Sequence, residues 1–147
     1  MNKQVVIIAG PTAVGKTAVA IELAHYFRTE IISADSRQCF KELNVGVAKP
    51  STEELQQVQH YFINSHSVKE EVNAALFEKF ALQTAEELFK KYDTVIMVGG
   101  TGLYIKAFCD GMDAIPAIGE DIRSQLQKEY EQGGLPWLRQ QLALKDP

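Results

Sequence analysis

Three short stretches hold residue types that could do chemistry. The first is Gly10-Pro11-Thr12-Ala13-Val14-Gly15-Lys16-Thr17, a complete G-x-x-x-x-G-K-[ST] phosphate loop. Its glycines let the backbone curl so that several N–H groups meet one anion, and a helix starting there adds its positive dipole end. Lys16 supplies a point charge to phosphate oxygens, and the Thr17 hydroxyl is the kind of ligand that holds Mg²⁺ in such loops. Gly10, Thr12, Ala13, Val14, Gly15, Lys16 and Thr17 are therefore the expected diphosphate-binding residues, with Thr17 also the expected metal ligand. The second stretch is Asp35-Ser36-Arg37-Gln38. A carboxylate there could serve as general base or metal ligand, but Asp and Ser are also favoured turn residues, and both readings stand. The third is Gly99-Gly100-Thr101-Gly102. It could be a tight turn, or it could bring backbone close to a ligand while the Thr101 hydroxyl donates to it.

These stretches need elements to position them. Gln4 to Ala9 is almost all Val and Ile, and such a run suits a strand of a parallel sheet buried on both faces. Behind the phosphate loop, Ala20, Leu23, Ala24 and Phe27 recur at helical spacing. Glu30 to Ala34 reads as a second strand that delivers Asp35. Residues 44–50 read as a loop, and Ser51-Thr52-Glu53-Glu54 as a helix start with acids in its first turn. Tyr61 to Ile63 is a candidate third strand. From Asn73 to Tyr92 runs the longest helical pattern, with Phe77, Phe80, Ala81, Thr84 and Leu88 on one face. Thr94 to Val98 is a further buried strand ending at the glycine cluster, and Leu103 to Cys109 a short helix. Strands alternating with helices predict an α/β fold, a parallel sheet of the P-loop NTPase type flanked by helices. Asp110 to Gly119 reads as a linker. Past it, Ile122, Leu126 and Tyr130 share a helix face, Gly133-Gly134 breaks that helix, and Pro136 opens another with Leu138 and Leu142 on its face. The expected division is a core at 1–112 and the beginning of a helical insertion at 113–147.

Composition narrows the function classes. The 147 residues are 46% apolar and 23% charged, enough apolar material for a core and too little charge for a disordered chain. No apolar run approaches the roughly 20 residues that span a bilayer. With no signal-peptide pattern at the start, the expectation is a cytoplasmic protein with no membrane partner. Cys39 and Cys109 lack partners at ligand spacing and read as reduced thiols. The formal net charge of −4 and the lack of Lys/Arg runs give no support of their own to a nucleic-acid partner. The strand Thr94 to Val98 ends in glycines where many phosphate-loop NTPases place a magnesium-organising Asp. That weakens a motor or switch ATPase and leaves nucleotide kinases and diphosphate-leaving-group chemistry open.

Taken together and in order, GPTAVGKT, ADSRQ, VGVAKP at Val45 to Pro50, the segment His60-Tyr61-Phe62-Ile63 and VGGTGLYIKA at Val98 to Ala107 resemble the tRNA dimethylallyltransferases, also called tRNA isopentenyltransferases. The resemblance runs from about residue 4 to Gly111 and more loosely to the end. Departures are Cys39-Phe40 in place of an aliphatic residue and Tyr, Val47 for Thr, and His60-Tyr61 for paired histidines.

The resemblance implies transfer of a dimethylallyl group from dimethylallyl diphosphate to the exocyclic amine of the adenine beside the anticodon. It implies Asp35 as the catalytic base and Thr101 as a catalytic residue bonding the diphosphate near the scissile oxygen. Asp35, Ser36 and Gln38 would meet the substrate tRNA, with Mg²⁺ as cofactor. The implied partners are the anticodon stem-loop and dimethylallyl diphosphate, with a monomer expected at full length. Residues from Ile115 on resemble the start of the insertion that grips the stem-loop, so the chain reads as truncated and weakly active alone. The alternatives are an adenylate dimethylallyltransferase acting on free AMP or ADP, a small-molecule or nucleotide kinase, and a non-catalytic nucleotide-binding module.

Overall fold

The computed structural model describes residues 2–113 and 118–146. By internal contacts the chain forms two compact units, Met1–Met112 and Asp113–Pro147. In the first, four strands form one sheet in the order β1-β4-β2-β3: β1 (Gln4–Ala9), β2 (Ile31–Ser33), β3 (His60–Tyr61) and β4 (Thr94–Gly99). All three pairings are parallel, with Ala9 opposite Gly99, Ser33 opposite Val98 and Ile31 opposite His60. The carboxyl ends of β1, β2 and β4 thus share one edge of the sheet, where α/β folds bind ligands.

Helices cover both faces. On one side α1 (Lys16–Phe27) packs Ala20, Ile21 and Ala24 against Ile31, Ile96 and Val98. On the other, α3 (Ala74–Phe89) and α4 (Gly102–Asp110) pack against Ile32, Val95 and Met97, with Phe77 and Tyr104 stacked at 4.5 Å. The short α2 (Thr52–Gln57) opens with a capping box: Ser51 accepts from the Glu54 N–H while Glu54 accepts from the Ser51 N–H. Asn73 caps α3 through the Leu76 N–H.

Two expectations change. The β1 strand is not fully buried: Val5 to Ile8 are half-buried and Gln4 and Ala9 exposed, whereas every residue of β4 is buried. Alternate side chains of β1 do meet both helix layers, Val5 and Ile7 on one face and Val6 and Ile8 on the other. Its partial exposure has another cause, since among the described residues it pairs only with β4 and its other edge is open. The third strand is shorter and earlier than the expected Tyr61 to Ile63. Phe62 turns to φ 63° and ends it, swinging a fully buried ring against Phe77, Phe80 and Tyr104. A left-handed bulky residue is strained, and here aromatic packing outweighs that cost.

In the second unit Asp113 and residues 118–146 are described. Its α5 (Glu120–Lys145) is two helices joined at Gly134, whose φ of 61° and ψ of −161° break the helix, with Pro136 in the first turn after the break. None of its described residues is buried; Ile122, Leu126, Leu138 and Leu142 are exposed. Residues 114–117 of the expected linker lie outside the described residues, including the Ile115 at which the resemblance to an insertion begins. No helix among the described residues is long and apolar enough to cross a membrane.

Candidate active site

The site lies at the carboxyl edge of the sheet, in a cavity of about 110 Å³. Thr12, Ala13, Gly15, Lys16 and Thr17 line it from the phosphate loop and the start of α1. Ser33, Asp35 and Gln38 come from the end of β2 and the turn after it, Gly99 and Gly100 from the end of β4. Ala48 and Pro50 close it from the 44–50 loop, and His60 and Ile63 border it from β3 and the turn that follows. The fold brings residues from five separate segments to one place.

The phosphate loop is shaped by backbone conformation. Gly15, at φ 89°, is the N-cap of α1, and Ala13 adopts φ 64°. A second left-handed alanine, Ala48 at φ 47°, sits across the same cavity. Non-glycine residues held there cost roughly 1–3 kcal/mol each, and such strain gathers at ligand sites. No side chain caps α1 or α4, whereas α2 and α3 are capped by Ser51 and Asn73. The first N–H groups of a helix have no partner within it, so these two uncapped ends near the cavity offer free donors to an anion. Lys16 is at present folded back, its Nζ donating to the Pro11 carbonyl at 2.5 Å.

Opposite the loop, side chains are already tied together. Asp35 Oδ1 accepts the N–H of Arg37 at 2.9 Å and of Gln38 at 3.2 Å, the geometry of an aspartate turn. No hydrogen bond reaches its second oxygen among the described residues. The Thr101 hydroxyl accepts the Ser36 N–H at 3.0 Å and lies 3.4 Å from the Ser36 hydroxyl. Gln38 donates its amide N–H to the Ala48 carbonyl at 2.9 Å and accepts from Ser33 at 3.3 Å, so it straps the 44–50 loop to the end of β2. Gly99 permits the close approach behind this cluster: a Cβ there would lie 2.1 Å from the Ala34 carbonyl oxygen. Beneath it, Cys39 is fully buried, and burial pushes its thiol up to about 11, so it stays an unreactive thiol near neutral pH.

Of the residues singled out by motif, Thr12, Ala13, Gly15, Lys16, Thr17, Asp35 and Gln38 meet at the cavity. Gly10, Val14, Ser36 and Thr101 do not line it: Val14 is exposed, and Ser36 and Thr101 bond each other beside it. Sequence reasoning passed over Ser33, Ala48 and His60. His60 is the most consequential, buried with its Nδ1 bonded to the Val58 carbonyl at 2.8 Å and its Nε2 unpartnered. Its burial holds the imidazole below its usual range, against smaller opposing effects of that bond and of Glu54. The available signal was a histidine directly ahead of the candidate strand Tyr61 to Ile63.

A parallel sheet with a phosphate-loop motif at its carboxyl edge, faced by Asp35 across one cavity, defines an α/β domain of the P-loop type. The chain belongs to the IPP transferase family, which it matches over residues 38–147. It is 50% identical over all 147 residues to a tRNA dimethylallyltransferase of Cytophaga hutchinsonii, of which it covers 48%. The full-length tRNA isopentenylpyrophosphate transferase of Bacillus halodurans superposes on the whole chain with a TM-score of 0.72 at 33% identity, and 48% of that structure is covered. A eukaryotic dimethylallyltransferase solved acting on tRNA covers 82% of this chain at a TM-score of 0.73 and 27% identity, with 31% of its own length matched. The chain thus spans about half the length of the curated relatives it matches.

Proposed function

We propose that the protein carrying these residues transfers a dimethylallyl group from dimethylallyl diphosphate to the N6 amine of the adenine next to the anticodon of a tRNA, in the cytoplasm. The observation that carries this reading is the free oxygen of Asp35, which shares one cavity with Lys16, Thr17 and the open start of α1. Backbone N–H groups of the loop and Lys16 hold the diphosphate end of the donor. The allylic carbon–oxygen bond breaks, and the departing diphosphate keeps the electron pair. The adenine nitrogen forms the new bond to that carbon and gives up a proton, which the second oxygen of Asp35 accepts. An aromatic amine is a weak nucleophile, so a fixed base that removes its proton as the bond forms is worth roughly 10²–10⁴ in rate. The Asp35 turn fixes that base through its other oxygen. Thr101 sits one residue before α4 and would turn its hydroxyl from Ser36 to the diphosphate; Ser36 and Gln38 would border the adenine.

Magnesium fits the donors present. The Thr17 hydroxyl, which lines the cavity, is a hard oxygen ligand. No cluster of three or more His, Cys, Asp or Glu side chains among the described residues forms a dedicated metal cage. That suits an ion held by one or two protein oxygens together with the diphosphate. When bound, Mg²⁺ would supply positive charge against the leaving diphosphate. The base to be modified must leave the anticodon-loop stack to reach the cavity, as in other base-modifying enzymes.

The test is transfer of labelled prenyl from dimethylallyl diphosphate by the complete gene product, offered tRNA, AMP and ATP in parallel. Label on the tRNA adenine is the expected result. Label on free AMP alone would make the protein an adenylate prenyltransferase, and phosphate transfer from ATP without prenyl transfer would make it a kinase.

A further inference from the structure

The cavity offers a diphosphate little positive charge. Among the described residues that line it, Lys16 is the one permanent cation, and Asp35 adds a carboxylate to the same cavity. One other described lining side chain can become a cation, the imidazole of His60. We propose that His60 is a binding residue that takes up a proton when diphosphate fills the cavity, its imidazolium then joining Lys16 in holding the anion. The proposal rests on the phosphate-loop reading of the site and not on which acceptor receives the prenyl group.

The geometry specifies how the ring is used. His60 is 7% exposed, and its Nδ1 lies 2.8 Å from the Val58 carbonyl oxygen. A carbonyl can only accept, so Nδ1 carries a proton, and in the neutral ring Nε2 is a bare lone pair. That atom is buried with no partner. A buried polar atom left unpaired is costly, and few persist in a native fold without a role. A lone pair facing a polyanion would be repelled, whereas an N–H⁺ at the same position donates to it. An imidazole is the side chain for which this exchange is easiest, because its ordinary pKa lies near neutrality.

The surroundings support the exchange. Without ligand, burial disfavours the charged ring, so His60 is neutral at pH 7. The charged groups around it are Lys16 at the start of α1 and Asp35 after β2, which line the same cavity, and Glu54 on α2. Lys16 must leave Pro11 to meet an anion. A diphosphate would therefore add more negative charge than these groups neutralise. Opposite charge at close range stabilises the imidazolium and raises its pKa. Protons are taken up between the ligand-free and the raised pKa. Affinity is greatest on the acid side of that window and weakens as pH rises through the raised value.

His25, His60 and His66 are the histidines of this chain, and through-bond correlation of each ring to its own backbone assigns His60 among all imidazoles of the complete protein. Nitrogen-15 spectra of that protein near pH 7.5, titrated with inorganic diphosphate and magnesium, should show His60 as the Nδ1–H tautomer at first and as imidazolium at saturation. Calorimetry in buffers of different ionisation enthalpy should give about one more proton taken up by the parent than by His60→Gln. The variant should bind diphosphate about tenfold more weakly, as expected for a lost charge-assisted hydrogen bond. The spectra need no variant, so a folding defect in His60→Gln cannot rescue the idea. His60 remaining neutral at saturating diphosphate overturns the inference while leaving the phosphate loop intact. Failure of the parent to bind diphosphate at all overturns both.

Discussion

The two halves of the cavity are prepared in opposite ways. On the phosphate-loop side the donors are uncommitted: α1 has no side-chain cap, and Lys16 rests on its own loop at Pro11. On the strand-end side almost every polar group is already bonded. Asp35 holds Arg37 and Gln38, Thr101 holds Ser36, and Gln38 holds Ala48. Under the proposed reaction, the difference follows the chemistry each half would meet. An anion brings its own strong acceptors and can organise loose donors as it binds. A base must be aimed before the reaction, because a misplaced proton acceptor loses much of its catalytic effect. Loose binding donors and a rigid base are thus complementary, and substitutions on the two sides should fail in different ways.

The largest expected effect is at Asp35. Asp35→Asn keeps an oxygen for the Arg37 and Gln38 N–H groups and removes the basicity. Prenyl transfer by the complete protein should fall by about 10²-fold or more while donor affinity stays near the parent's. Single-turnover rates and equilibrium titration together check this. Near-normal transfer would reduce Asp35 to a turn residue, and a large loss of magnesium-dependent diphosphate affinity would make it a metal-site residue. The next effect lies across the cavity. Lys16→Ala should weaken diphosphate binding by about 2 kcal/mol, the loss of a charged contact. Calorimetry with dimethylallyl diphosphate and ATP, with and without Mg²⁺, measures it. Equal affinity in parent and variant would break the loop assignment, and tighter ATP binding than prenyl-donor binding would favour a kinase.

The two halves also differed in how far the sequence disclosed them. The phosphate-loop motif is contiguous and its shape is in the backbone, so glycine spacing and one lysine describe most of it. The central strand β4 and the long helix α3 were visible because apolar runs and helical spacing are local signals. What escaped depends on contacts between distant segments. The open edge of β1 follows from strand order, which its Val/Ile run does not encode. The end of β3 follows from Phe62 finding Phe77 and Tyr104, far along the chain. The bonds of Gln38 to Ala48 and the orphaned Nε2 of His60 exist only once the loops are folded over the sheet edge. The motif ADSRQ singled out Asp35, yet it did not reveal that one carboxylate oxygen holds the turn through Arg37 and Gln38 in a residue that lines the cavity.

The smallest expected effect concerns the joint between the rigid half and the glycine turn. Thr101 accepts the Ser36 N–H at 3.0 Å, and the threonine hydroxyl is the acceptor of that bond. Thr101→Val preserves the side-chain volume and removes the acceptor, leaving the Ser36 N–H unpaired in a half-buried place. The loss should destabilise the fold by about 1 kcal/mol, visible as a lower denaturant midpoint with unchanged slope. If Thr101 only braces Ser36, transfer should fall no more than a slightly displaced Asp35 requires, and donor affinity should not move. If its hydroxyl also meets the diphosphate, the rate should drop about tenfold beyond any change in stability. Thr101→Ser, which keeps the hydroxyl and drops the methyl, should then restore rate more fully than stability. Parallel recovery of both in Thr101→Ser would assign Thr101 to bracing alone, and the division between loose and rigid halves would then run between the phosphate loop and the entire glycine turn.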